Sequence, residues 1–512
     1  MSHVVLIMRS RRLWVLMSWL LIVAPLSTSQ PIRRAVSQQA NPPINSRFGA
    51  VESYYRPDEA AALGIGWERI IFEWRLFQPD SPDQWNTDQI PDSWLATAAA
   101  SGREVIGLVK NAPHWATGSP LLGAPALGLD KPIDDPANTF GTFMTRLVRE
   151  YSQKWHIHHW IIYNEPDIQP SDTNFFEFAG TAEDYYHVLK VAYLAAHQAD
   201  PQAIIHFAGT TWWEDESHKR PQFIARVLQI ASQDPAAKLN GLFFDVLTIH
   251  VYDRTELVWQ MVNELGGLTV AAGFPKEIWI DELNAHPTED VDWSISNPYI
   301  EVRLSQQADF LIQATALAMA AGAQRVGVYR LYDNVSDVLA GTSNAAWGLI
   351  RNDGTHRPAY KAWRTVIKEF ANTTTVGRVD HDPQSPVTII ALHEIDRTLI
   401  VAWSKSGASI PLTVVDQPGI TAVDVNDKPV PLTYYDGLDR VTLEPCYKPC
   451  SIEGSPILIS IPDPSIEPES VLGFIDQYGH RQPINAASRS TTPPRKPLSA
   501  SPTEAATPVD AP

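Results

Sequence analysis

Cysteine is scarce in this chain: Cys446 and Cys450 are the 2 cysteines in 512 residues. Two thiols with no histidine pair beside them argue against a zinc site. Positive charge is scarce as well. With 40 Lys and Arg against 58 Asp and Glu the formal charge is −18, which argues against nucleic acid as a partner and against adhesion to anionic membranes. Long apolar runs are nearly absent. Residues 13–26 form one, too short for a comfortable membrane span, and nothing later approaches spanning length. No internal repeat is evident.

That single apolar run follows Arg9, Arg11 and Arg12 and leads to Ser27-Thr28-Ser29, a small-residue cleavage site before Gln30. The order is that of a secretory signal peptide over residues 1–29, so the expected location is secreted or extracytoplasmic, with no membrane contact after cleavage. An uncleaved anchor is the alternative. In a secreted chain Cys446 and Cys450 would close a small disulfide loop; otherwise they are two free thiols.

What remains reads as a globular protein, with 44% hydrophobic and 19% charged residues, long enough for a large barrel and an appendage. Eight strand-like runs occupy 48–52, 69–74, 105–110, 160–164, 204–208, 245–252, 278–282 and 325–331, each followed by a helix-like stretch. The alternation predicts an α/β fold, a (β/α)₈ TIM barrel over residues 45–371. Helices are expected over 181–199 and 305–321 and from Pro358, with a first one near 58–63. From 372 to 462 short apolar runs alternate with Gly, Pro, Asp and Asn turns, which predicts a small antiparallel β-sandwich domain. Residues 463–512, rich in Ser, Thr, Pro and Ala toward the end, are expected to form a disordered tail.

Two short segments carry the chemistry. Tyr163-Asn164-Glu165-Pro166 and Trp279-Ile280-Asp281-Glu282 each set a glutamate just past a run of β-branched and aromatic residues, at the carboxyl ends of strands four and seven. Strand ends on that face of a barrel form the site, and paired carboxylates are what glycoside hydrolysis needs. Glu165 is expected to be the acid/base, with a raised pKa, and Glu282 the nucleophile, kept ionised by Arg69 and Tyr252. Asn164 can bind the sugar 2-hydroxyl, and His250 shares a strand face with Tyr252.

Other residues compete with these. Glu52 and Glu73 also end strands, Glu73 being better read as an ion pair with Arg75. Strict alternation would put Asp281 on the face opposite Glu282. His156, His158 and His159 resemble a metal cluster, but strand rise leaves His158 roughly 20 Å from Glu165, so no metal is expected. Asn111, His114 and Trp115 after strand three, and Trp212 and Trp213 after strand five, are divided between sugar contact and loop packing. The 17 Trp residues divide the same way, since indole faces both stack on sugars and fill cores.

With these motifs the chain resembles the clan A glycoside hydrolases, (β/α)₈ retaining enzymes that include β-xylosidases, iduronidases and cellulases. In that clan an Asn-Glu pair ends strand four and a Glu ends strand seven, which Asn164-Glu165 and Glu282 match. The likeness extends to Arg69 in Trp67-Glu68-Arg69-Ile70, to His250-Val251-Tyr252, and to the segment from Trp347 to Gly354. It departs at strand eight: Tyr329-Arg330-Leu331-Tyr332 stands where many members carry a tryptophan, and Trp347 is expected to serve from the loop. The resemblance implies a secreted retaining glycoside hydrolase acting on an oligo- or polysaccharide without a cofactor. A non-catalytic glycan-binding barrel and a transglycosylase using the same covalent intermediate are the alternatives.

Overall fold

The computed structural model describes residues 44–290, 298, 300–334, 345–381, 385–475 and 479–484. The signal peptide expected over 1–29 lies outside the described residues. Among the described residues no helix is long and apolar enough to cross a membrane.

Eight parallel strands close a barrel in chain order: β1 (Phe48–Ala50), β2 (Trp67–Glu73), β3 (Glu104–Lys110), β4 (His159–Ile162), β5 (Ile204–Thr210), β6 (Val246–Tyr252), β7 (Glu277–Asn284) and β8 (Ala323–Val328). Closure is made by β1 against β8, with Gly49 opposite Gly327. Each strand is apolar on both faces because one looks into the barrel and the other under the helices. Below the site the interior is filled by Trp67, Trp279, Ile106, Leu108, Ile161 and Val246. The two glycines make room for that plug, since a Cβ on Gly49 or Gly327 would stand 2.1 or 2.3 Å from the Trp67 ring.

The expected helices are present at Pro57–Leu63, Ala182–Ala199, Leu304–Ala320 and Pro358–Glu369. Thr181 caps the second in a capping box with Asp184, which satisfies two of the donors at its start. Leu304–Ala320 is alanine-rich and buried at every position from Gln306 to Met319, because it is covered on two sides. Besides the barrel it meets the β-domain: Ser455 donates to Asp309 at 2.7 Å, and the Gln313 amide donates to the Gly454 carbonyl at 2.7 Å.

The β-domain is two five-stranded antiparallel sheets. One runs Thr421–Val423 (β13), Ile457–Ile461 (β16), Thr398–Ser404 (β11), Val387–His393 (β10) and Thr375–Arg378 (β9). The other runs Thr433–Tyr435 (β14), Leu438–Leu443 (β15), Ile410–Val415 (β12), Leu472–Ile475 (β17) and Arg481–Pro483 (β18). Leu412, Val414, Ile459 and Leu472 belong to the shared core of the sandwich. Part of the segment expected as a tail from residue 463 is folded. β17 pairs with β12, Leu412 opposite Phe474, and Leu472 is wholly buried. Those strands are short and flanked by Pro, Glu and Arg, so their few apolar residues leave no readable period. Cys446 and Cys450 are joined by a disulfide.

Candidate active site

The site lies at the carboxyl ends of the barrel strands. Past β4 the chain steps through Tyr163 and Glu165 in the left-handed region, at φ 64° and 42°. Non-glycine residues take that conformation rarely, and only where neighbours hold them. Here the Tyr163 amide donates to the Val109 carbonyl at 2.8 Å and the Glu165 amide to the Gly209 carbonyl at 3.0 Å, tying the turn to both adjacent strands. Asn164 is buried, and its side-chain oxygen lacks a hydrogen-bond partner.

β7 departs from strict alternation. Ile249 pairs with Ile280, yet the next residue, His250, pairs with Glu282, so Asp281 is the extra residue of a bulge. A bulge re-aims side chains that alternation would separate. Asp281 and Glu282 therefore both reach Arg69: the guanidinium donates to Asp281 Oδ2 at 2.8 Å and also to Glu282. The expectation that only one of this pair faces the axis is corrected accordingly.

Two more groups close around Glu282. The Tyr252 hydroxyl donates to it, and His250 Nδ1 lies 3.4 Å from Glu282 Oε2 and 2.7 Å from Glu165 Oε1. One oxygen from each glutamate and a nitrogen of His250 all lie within 4.8 Å of one another. His250 fits beneath the pair because β5 carries glycine alongside. A Cβ on Gly209 would stand 2.1 Å from His250 Nε2.

Electrostatics drives the two glutamates apart. Burial pushes the Glu165 carboxyl above the usual carboxylate range; the His250 contact opposes this and the Glu282 charge adds to it. Burial would raise Glu282 too, but the charges of Arg69 and His250 outweigh it and hold the carboxyl below its ordinary value. His250 is likewise buried, yet the charges of Glu282 and Asp281 and its bonds to Asp281 and Glu165 hold the imidazole well above its usual value. Glu165, His250 and Glu282 offer the donor types of a metal centre. Arg69 already binds Glu282, however, and His250 is already bonded to Glu165.

A cavity of about 400 Å³ opens over these groups. Of the residues singled out from sequence, Arg69, Asn164, Glu165, Trp213, Tyr252, Glu282 and Trp347 line it. Trp347 comes from the loop after β8, as expected, standing edge-on to Tyr252 at 4.9 Å and stacked on His286 at 4.6 Å. Asn111, His114 and Trp115 are not brought to it. The chain turns away at Asn111, φ 58°; the Trp115 indole donates to the Gln78 carbonyl at 2.7 Å, and His114 is exposed beside the Ser119 carbonyl. Trp212 is buried and donates to Glu264 at 3.1 Å. Glu73 pairs with Arg75 at 2.6 Å.

Sequence reasoning missed several wall residues: Lys110, Glu177, Asp253 and Tyr329, together with Glu52, which it had set aside. Lys110 was legible, being two residues past Leu108 and so on the same inward face. Glu177, which pairs with Lys110 at 2.5 Å, comes from a long loop and gives no such signal.

No protein-family model matches the sequence, and no curated protein sequence matches it. Solved structures do. The chain is similar to a family 39 glycoside hydrolase from the gut symbiont Bacteroides cellulosilyticus WH2, at 16% identity over 82% of this chain and 81% of that one, with a TM-score of 0.60. It is similar to a GH30 endoxylanase from Clostridium papyrosolvens C71, at 15% identity over 82% and 97%, TM-score 0.52. A monomeric beta-xylosidase from Caulobacter crescentus CB15 matches at 12% identity over 81% and 96%, TM-score 0.51. The chain shares its fold with these glycoside hydrolases.

Proposed function

We propose that the protein is a secreted retaining glycoside hydrolase working by double displacement. The observation that carries this reading is a half-buried carboxyl, Glu165, and a buried one, Glu282, with one oxygen of each within 4.8 Å and pKa values displaced in opposite directions. Retaining enzymes hold their carboxyls about 5–5.5 Å apart, whereas inverting ones need about 6.5–9.5 Å to admit a water.

In the first step Glu282 attacks the anomeric carbon while Glu165, protonated because burial disfavours its charge, gives its proton to the departing oxygen. In the second, Glu165 takes a proton from water, which displaces Glu282 from the sugar and restores the original configuration. His250 positions Glu165 and supports its ionised form between the steps. The free Asn164 oxygen is the acceptor for a sugar hydroxyl, and Trp347 and Trp213 offer ring faces to the substrate. Export is supported by the basic–apolar–small order of residues 9–29 and by the Cys446–Cys450 disulfide, which a reducing cytosol would disfavour. The secreted form is expected to begin at Gln30, which N-terminal sequencing reads directly.

A panel of activated aryl glycosides incubated with the purified mature protein tests the activity. Turnover on at least one sugar is expected, with kcat/KM bell-shaped in pH: the acidic limb reports Glu282 and the basic limb Glu165. Binding of glycans without turnover of any would support a carbohydrate-binding protein instead.

Arg69 and Gly209 give two further expectations. Arg69→Met removes one of the two cations beside Asp281 and Glu282, leaving His250, so the acidic limb moves to higher pH. Breaking the buried pair also costs about 3–5 kcal/mol of stability, read by denaturant unfolding. Gly209→Ala pushes His250 from under Glu165. A misplacement of this kind lowers kcat on the order of 100-fold, measured with Tm alongside to separate misplacement from unfolding.

A further inference from the structure

The cavity over the glutamates continues into a second one. This neighbour, of about 600 Å³, shares Trp213, Tyr252 and Asp253 with the first. Their walls differ in chemistry and origin. Around the carboxylates, β1, β2, β3 and the end of β8 contribute Glu52, Arg69, Lys110 and Tyr329. The second cavity is built from the segments after β5, β6 and β7, where Trp212, then Leu257 and Met261 of the helix Thr255–Ala271, and Ile300 make a mainly apolar wall. Trp212 offers it only ring surface, because its indole N–H is bonded to Glu264. Its polar lining is Glu216 and Ser217, exposed at the edge, together with Asp253 and Arg254 where the β6 segment enters the helix Thr255–Ala271.

A bound sugar needs hydrogen-bond partners for nearly every hydroxyl, since a buried hydroxyl without one is costly. The first cavity is lined largely by such partners, whereas the surface of the second is mostly apolar. The chain also dictates which part of a substrate lies where. Glu165 follows β4 and is bonded through its amide to Gly209 of the neighbouring β5, so an oxygen receiving its proton has the β5–β6 side for the rest of its group. We propose that the second cavity holds the leaving group, and that this group is an apolar alcohol or phenol rather than a further sugar. The proposal rests on the glycosidase reading for the word leaving, but the cavity's affinity for apolar alcohols does not.

The test has two arms. In the first, 2-naphthol is titrated calorimetrically into the mature protein and into Leu257→Asp and Ile300→Gln. Leu257 is the third residue of the helix Thr255–Ala271, where an acidic side chain suits the helix N-terminus, so that variant is expected to fold. Saturable binding by the wild type, weakened at least about tenfold in both variants, is expected from the loss of apolar contact. In the second arm, methyl and n-hexyl glycosides of the sugar that the panel identifies are compared, since their leaving groups differ little in acidity. The hexyl glycoside is expected to have the higher kcat/KM, by at least about tenfold, and both variants to lower that ratio. Naphthol that fails to bind, hexyl and methyl glycosides turned over alike, or a disaccharide preferred to the hexyl glycoside would each overturn the proposal. Naphthol binding with no glycoside hydrolysed would remove the enzyme reading and leave the apolar-alcohol site standing.

Discussion

Glu282→Ala is expected to abolish hydrolysis, lowering kcat on the order of 10⁴- to 10⁶-fold, the scale seen when a covalent nucleophile is removed. The size follows from the site. Glu282 is the group that Arg69, His250 and Tyr252 all serve, and the water that could replace it has no such field built for it. The variant should remain folded, because the excised carboxylate leaves Asp281 to keep the Arg69 guanidinium paired. Azide, small enough to enter the vacated space, should restore turnover of an aryl glycoside and give a glycosyl azide of inverted configuration. A second consequence is electrostatic: the Glu282 charge is one of the terms raising Glu165. Without it Glu165 should titrate lower, a shift that NMR of the labelled carboxyl reads in Glu282→Ala.

Glu165→Gln is expected to cost about 10²- to 10⁴-fold, the usual worth of a general acid–base. The loss should depend on the leaving group, being largest for an alkyl glycoside that cannot depart without a proton and smallest for a nitrophenyl glycoside that can. The amide is close in shape to the acid and keeps an oxygen for His250, so the geometry of the turn through Tyr163, Asn164 and Glu165 should survive. The basic limb of the pH profile should vanish with the carboxyl that causes it, while the acidic limb, belonging to Glu282, stays. Loss of the acidic limb instead would exchange the two assignments.

The barrel was legible because its eight strands are largely buried on both faces and so read as mainly apolar runs, each followed by a helical stretch. The paired glutamates were legible for the same reason: each follows such a run directly. Arg69, His250 and Tyr252 were found by following strand faces. Asp281 was misread because a bulge arises from pairing between strands, Ile280 with Ile249 and Glu282 with His250, and one strand's sequence carries no sign of it. Asn111, His114 and Trp115 were divided between sugar contact and loop packing, and the Trp115 bond to the Gln78 carbonyl is a packing contact. β17 and β18 escaped notice because three or four residues are too few to show a period. Glu177 and Trp347 show the two sides of loop contributions: Trp347 was reached through a family likeness, and Glu177 had nothing to mark it.

The most direct test of double displacement at Glu165 and Glu282 is the anomeric configuration of the sugar as it is released, followed by proton NMR in the first minutes of hydrolysis, before mutarotation. One oxygen of each carboxyl lies within 4.8 Å of the other, in keeping with a second carboxylate close enough to attack carbon, so the first-formed product is expected to keep the substrate's configuration. Release of the opposite anomer would mean that water attacks directly, and would contradict the account.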